Sequence, residues 1–435
     1  MRASSIFACV AGCAAAVFAV ACAASGTDAK DAPQPDSGGS VAVLPDGGSA
    51  ESDADPDASV DVPQCSEAGW CATALPDPDL SMRDISVLEH RAFAVAESPT
   101  LGVKVLEWDE ADGWKYIDDG SQNEFGIGEF VGKVWAPNDD EVYYGVDPGY
   151  IYHGKRPVPP ETAWSWTRNR LQDDDGNPVG LGPGGKALSA ITKRDVIGVW
   201  GTSASDVYAW IANRIYRWKS VDGGTPGWAL EHVADDADPD EYLFFSGAAG
   251  TGPDGVWFSG TRARDNIWQC ALVVRKSVSE YRRVADGVLP RPQGACTPRD
   301  GTLLIGGSVG WLSSIHALSP DGIIGLNHAP DIFSGVRNVV KISANGDTYS
   351  VAVSSVPTPS SGSWLYSLAS VQEGLWLGGW GRVVRGTDVW DGGRYELSTV
   401  ALQGPLNRPV LQVRGTSNTN LWAIGDDYAL HKTTL

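Results

Sequence analysis

A ten-residue phrase returns along the chain with its internal spacing unchanged. It reads Val-Trp-Gly-Thr-Ser-Ala-Ser-Asp-Val-Tyr over Val199–Tyr208 and Val-Arg-Gly-Thr-Ser-Asn-Thr-Asn-Leu-Trp over Val413–Trp422. A third copy, Val-Trp-Ala-Pro-Asn-Asp-Asp-Glu-Val-Tyr, occupies Val134–Tyr143. Self-similarity of this kind means one supersecondary unit stacked many times, because a single unit cannot bury its apolar face alone. Each copy reads as a first strand (a) ending in Val-Trp, a polar turn, and a second strand (b) opening at Val-Tyr. The Gly, Ser, Asn and Asp of the turn cap backbone groups or tolerate left-handed geometry. A third strand (c) follows at Ile215-Tyr216, Val383 and Ala429, about eight residues after the start of strand b. A fourth (d) carries an aromatic after Gly, as in Gly113-Trp114 and Gly227-Trp228, and more loosely at Arg394-Tyr395.

This pattern places strand b starts at Ala92, Val142, Val207, Val256, Leu303, Leu375 and Leu421. Most intervals fit four short strands with their turns. The two long intervals read as insertions, one at Arg170–Lys186 and one between Ser308 and Ser367. Asn345-Gly346-Asp347 would open a unit too short for a blade, so the count is seven, with six or eight as the alternatives. Short apolar runs bounded by Gly, Pro, Asp and Ser dominate, and few segments carry helical spacing, an all-β signature. Seven four-stranded units predict a β-propeller. Two β-sandwiches would not keep one period. The Val-Trp pairs suit packing between blades.

The last unit has strands at Val410–Val413, Leu421–Ile424 and Tyr428–Lys432 and then stops at Leu435 without a fourth. Gly69-Trp70-Cys71-Ala72-Thr73-Ala74 resembles the fourth-strand phrase Gly227-Trp228-Ala229-Leu230. The N-terminal strand is therefore expected to complete the last blade and close the ring, which removes exposed sheet edges.

The chain begins with Arg2 and an apolar run from Ile6 to Val20, too short to span a bilayer comfortably. Residues 1–21 read as a lipoprotein signal peptide. Ala19-Val20-Ala21 before Cys22 resembles a lipobox, with Cys22 as the lipid attachment site; plain secretion is the alternative, since the same residues fit an A-x-A cleavage site. Val10-Ala11-Gly12-Cys13 also fits locally but leaves a very short apolar core. Of seven Cys, Cys9 and Cys13 leave with the signal and Cys22 carries lipid. Four remain for an oxidising compartment. Three pairings exist, and proximity in sequence favours Cys65–Cys71 and Cys270–Cys296.

Residues 22–64 form an acidic tether of Ala, Ser, Gly, Pro and Asp with Lys30 its single base. Such a segment cannot bury enough apolar surface to offset chain entropy, so disorder is expected. Its charge repulsion favours extension. The propeller domain is then 65–435. The whole chain carries a net charge of −21. A net acidic surface argues against nucleic acid and anionic membrane faces as partners.

The repeated phrase, with the strand c that follows it, resembles a repeat in lipoproteins of myxobacteria and related bacteria. There it runs V-W-G-x-x-x-x-D-V-W-A-V-G, followed by G-x-I-x-H-W-D-G. The resemblance extends over about Asp84 to Leu435 and is clearest at units two, three, six and seven; units one, four and five depart from it. It implies a seven-bladed propeller at the cell envelope and attaches no activity.

No catalytic, cofactor-binding or metal motif emerges. His90, His153, His232, His316, His328 and His431 form neither H-x-H nor H-E-x-x-H. His153 and His431 fall at equivalent strand c ends and read as solvated surface residues. Asp173-Asp174-Asp175-Gly176-Asn177 resembles part of a calcium loop but lacks its flanking acids, so a polar loop is expected. Asp235–Glu241 reads as a solvated acidic linker. Gly247–Gly252 reads as a turn, with no Lys-Ser/Thr to make a phosphate cradle. There is no G-x-S-x-G elbow. The resulting expectation is a non-enzymatic, monomeric lipoprotein of a Gram-negative outer membrane or cell surface. It is held to the membrane by lipid, needs no cofactor, and offers its propeller loops to a protein or glycan. A periplasmic or secreted protein is the alternative address. A polysaccharide hydrolase or lyase with paired acids in the central channel and a structural envelope component are the alternative functions.

Overall fold

The computed structural model describes residues 65–124, 130–179, 197–220, 224–234, 238, 240–264, 268–278, 280–289, 294–305, 311–328, 337–357, 365–372, 374–398, 400 and 406–434. The expected signal peptide, Cys22 and the tether lie outside these residues. Seven four-stranded antiparallel sheets follow one another along the chain. In order, the blades occupy 81–116, 131–170, 197–233, 242–285, 311–356 and 365–398, and the seventh joins 410–432 to 70–73. The fold is a seven-bladed β-propeller. Among the described residues the one helical element is a 3-10 turn at Ser121–Asn123.

The ring closes as the sequence predicts. Trp70–Thr73 pairs antiparallel with strand c of the seventh blade, Trp70 facing Lys432 and Thr73 facing Ala429. Trp70 is fully buried. Its ring meets Trp376 of the sixth blade edge-on at 6.1 Å, and its Nε1 donates to Ser398 Oγ at 2.8 Å. On the other side, Trp114 Nε1 of the first blade donates to Thr73 Oγ1 at 3.0 Å. One short strand thus touches both neighbours of the seam. Disulfides join Cys65 to Cys71 beside this strand and Cys270 to Cys296 at the fourth blade.

The fifth blade corrects two expectations. Leu303 does not open a strand b; it lies in an isolated bridge to Ala285. Strand b of this blade is Gly322–His328, and Asn345-Gly346-Asp347 sits at its c–d hairpin. The stretch between Ser308 and Ser367 is therefore a blade and not an insertion. The extra material lies just before it, as the two-stranded ribbon Gly287–Val288 and Thr297–Pro298, fastened by Cys270–Cys296. The reason for the difference is chemical: this blade carries His316-Ala317 where blades two and three carry Trp135-Ala136 and Trp200-Gly201, and Ile324 where the other six carry an aromatic. Gly247–Gly250 also departs from expectation. It forms the end of strand a of the fourth blade, Tyr242–Gly250, rather than a turn.

The inner strand of every blade has one unpaired edge. Side chains of the preceding blade satisfy part of it, which is how an open edge is made safe. Val134 N–H donates to Asp84 Oδ2 at 3.0 Å, Ala136 N–H to Ser86 Oγ at 3.0 Å, and Val413 N–H to Ser367 Oγ at 2.9 Å.

Two outcomes follow from the closure. Trp70→Ala should cost about 3–5 kcal/mol in urea melts, the usual range for emptying a buried indole site. Removing residues 65–76 should lower the melting temperature sharply, and an unchanged melt would show that the seam holds without that strand.

Candidate functional site

The repeat motif has a structural job, seen by following one position around the ring. The aromatic two residues into strand b's motif faces a strand c residue directly across the ladder. These pairs are Tyr143 with His153, Tyr208 with Arg217, Trp257 with Arg275, Trp376 with Arg385, and Trp422 with His431. The two imidazoles stack face to face on their partners at 4.0 and 4.2 Å. The three guanidinium groups lie 5.2–5.6 Å from their ring centroids, within cation–π range. In the second, third and seventh blades the acidic or amide residue that opens strand b joins the pair. Glu141 Oε2 is 2.9 Å from His153 Nε2, Asp206 Oδ1 2.8 Å from Arg217 Nη2, and Asn420 Oδ1 3.0 Å from His431 Nε2. The first blade inverts the charges: Glu107 stands opposite Phe93 and accepts from Arg91.

His153 and His431 are therefore not solvated strand ends. Burial lowers the pKa of His153, with Glu141 opposing the shift, and burial holds His431 down to about 4. His232 stacks on Tyr281 at 4.8 Å and is likewise held down to about 4, by burial and then by Arg283. His90 is exposed. The Asp173–Asn177 segment is a closed polar turn, with Asp173 Oδ1 accepting from the N–H groups of Asp175 and Asn177. Among the described residues, no group of three or more His, Cys, Asp or Glu is placed to hold a metal ion.

The concave site is the central channel. A cavity of about 340 Å³ is lined by the inner strands of six blades, within the size range of small-ligand pockets. The register defines a ring of equivalent inner-strand positions, each opposite the strand b aromatic position. In blade order they are Ser86, Trp135, Trp200, Ala249, His316, Ala369 and Arg414. All but Ala369 line the cavity. In blades two and three this is the Trp of Val-Trp. Trp135 and Trp200 each lean onto the next blade's glycine, and a Cβ on Gly201 or Gly250 would come within 2.7 or 2.9 Å of the indole. That contact, with the carbonyls of Asp206 and Gly255 equally close, leaves room only for glycine at 201 and 250.

Elsewhere the ring changes character. Arg414 Nη1 donates to the carbonyls of Leu368 and Val413, each at 3.0 Å. His316 approaches the same Leu368 carbonyl; burial, with Arg414 beside it, pushes its pKa down to about 3. The imidazole is neutral at pH 7, and its Nε2 is buried without a hydrogen-bond partner. The inner strand beneath it carries a bulge, with Ser314 in left-handed geometry (φ 47°); bulges re-aim side chains next to functional sites. Two residues before Ser86, Asp84 is 5 % exposed; its Oδ2 accepts from Val134, and its Oδ1 has no partner. Asp84 is the one carboxylate among the described residues lining the cavity. The paired acids of the hydrolase alternative are not brought together there.

No protein-family model matches the chain, and no curated protein matches it. Solved structures similar to it include YCF48 from Cyanidioschyzon merolae, at 14% identity over 84% of this chain and 98% of that one, with a TM-score of 0.49. YCF48 bound to D1 peptide gives 13% identity, coverage of 86% and 98%, and a TM-score of 0.49. The WD40 β propeller domain of Doa1 gives 11%, 83%, 96% and 0.45 in the same order. At these values the likenesses assign neither a ligand nor an activity.

The buried imidazoles make stability depend on pH. A histidine whose folded pKa lies below the ordinary 6.5 leaves the unfolded chain binding more protons between the two values. Stability is full above about 6.5 and is lost as pH falls, down to about 4 for His232 and His431 and on to about 3 for His316. Urea midpoints taken from pH 7.5 to 4.5 should fall across this window. His431→Phe keeps a ring on Trp422 and removes one titration, so its decline should be shallower; parallel curves would contradict the assignment.

Proposed function

We propose that this protein is a non-enzymatic lipoprotein of a bacterial envelope, tethered through Cys22, whose propeller is a binding scaffold for a protein or glycan. The observation that carries the reading is the channel. A rigid ring places an aromatic wall, a guanidinium and two unpartnered buried acceptors around one cavity and supplies one carboxylate there. Buried polar atoms without partners are costly, and a ligand that satisfies them recovers that cost. A two-carboxylate mechanism has no second member in this lining. The address rests on the sequence alone, on the apolar leader and on Ala19-Val20-Ala21-Cys22. The acidic segment after Cys22 would hold the propeller away from the membrane as an extended spacer.

The test is crosslinking and pull-down from cells of the tagged protein beside a Cys22→Ser form. The wild type should sediment with membranes and the variant should not. The same partner or glycan should be captured by the anchored form and lost on Arg414→Ala. Equal membrane association of both forms would remove the lipid anchor from the reading, and absence of any specific capture would remove the scaffold role.

A further inference from the structure

The channel ring specifies more than a generic cavity. The seven equivalent positions come from one repeat, so a uniform ring is what repetition alone would produce. Instead the residues segregate. Two indoles stand on the adjacent blades two and three. His316 and Arg414 stand on blades five and seven. Ser86, Ala249 and Ala369 are small and leave gaps between these walls.

The unsatisfied atoms define what a ligand must bring. Asp84 Oδ1 is buried, lines the cavity and accepts from nothing. His316 Nε2 is also buried without a partner. Its ring is neutral, and the neighbouring Arg414 adds to the burial that keeps it so. Both atoms belong to residues that line the cavity and stand open as acceptors, so a ligand that satisfies them must carry O–H or N–H donors. A simple carboxylate would bring none; a phosphate carries P–OH at neutral pH and could pair with Lys133 and Arg414, but it offers no C–H face to the indoles. The indoles require an apolar surface on the same molecule, and Arg414, Ser246 and Ser314 supply polar lining beside it. A molecule with hydroxyl donors around its rim and a flat C–H face meets these demands together.

We propose that the channel mouth is a saccharide site, taking one or two neutral pyranose rings against Trp135 and Trp200, with hydroxyls donating to Asp84 Oδ1 and His316 Nε2. The cavity of about 340 Å³ accommodates a ligand of that order. This inference rests on the scaffold reading and narrows it to the glycan class. The Ser314 bulge turns His316 to its place in the ring, where the regular phrase would have put a third indole.

The experiment is isothermal titration and saturation-transfer NMR of the intact protein with purified glucose, galactose, mannose, N-acetylglucosamine and their β-linked disaccharides. One of these should bind saturably, with transfer to its ring C–H protons. Asp84→Asn keeps an oxygen for the Val134 N–H and replaces the free acceptor with a donor; it should weaken binding at least tenfold. Trp200→Phe should weaken it severalfold, and Trp380→Ala, at an exposed residue of the sixth blade outside the cavity, should leave it unchanged. Melting curves of each variant separate lost binding from lost folding. No saturable saccharide response in the wild type, or equal affinity in a folded Asp84→Asn, overturns the proposal. If a protein is captured from cells equally well by wild type and Asp84→Asn while no saccharide binds, the saccharide site fails and the scaffold reading stands.

Discussion

The pairing of Trp70–Thr73 with Tyr428–Lys432 is the constraint on which the rest of the molecule depends. A four-stranded blade cannot bury its own faces, and each face here is covered by the next blade. Six blades can be laid down by following the chain, but the seventh would lack its outer strand without the N-terminal segment. That strand brings Trp70 against Trp376 and Thr73 against Trp114, so the seam is packed on both sides. Closing the circle from the two ends of the folded region makes the blades mutually dependent. It also fixes the inner strands at one radius, without which the channel positions would not form a ring.

Inside that frame the repeat motif reads as three linked contacts. The strand b aromatic receives a His or Arg from strand c, and the polar residue opening strand b fixes that cation or imidazole from the other side. The Trp of the same phrase lies on the following blade's glycine. The first two contacts act within a blade and the third acts between blades, so one ten-residue phrase encodes both. The first blade reaches the same end with opposite charges, Arg91 opening strand b and Glu107 on strand c. Glu107 also accepts from Arg156 of the second blade at 2.6 Å. The charges need to complement one another, but their order does not matter.

The architecture was legible because period, turn chemistry and strand length are local properties. Six of the seven strand b positions and both disulfides could be read from residues near one another in sequence, and the closing strand from the likeness of Gly69–Ala74 to the fourth-strand phrase missing from the last unit. The fifth blade could not, because His316-Ala317 and Ile324 erase the aromatic signature while leaving the strands intact. The stacked histidines were misread because strand ends look solvated in one dimension; the packing that buries His153 and His431 comes from the ladder register. The channel was the least legible part. Asp84, His316 and Arg414 lie on three different blades far apart in sequence, and nothing in the local sequence of Asp84 or His316 marks them. One signal was available: Arg414 stands in the quoted phrase where Trp stands in its sister copies.

That substitution points to how such a ring acquires chemistry. Where the repeat keeps Trp, the side chain packs on the next blade's glycine and lines the channel as an apolar wall. Where it departs, that interblade contact is given up and the position carries other chemistry into the lining. Arg414 and His316 are both departures, and both converge on the Leu368 carbonyl of the sixth blade, whose own ring residue is the small Ala369. A smaller residue on the sixth blade is what lets side chains from the fifth and seventh reach one carbonyl. The three departures therefore depend on one another spatially, although they lie far apart in sequence. A bulky residue at Ala369 would separate Arg414 from His316 while leaving the propeller's strand pairing untouched.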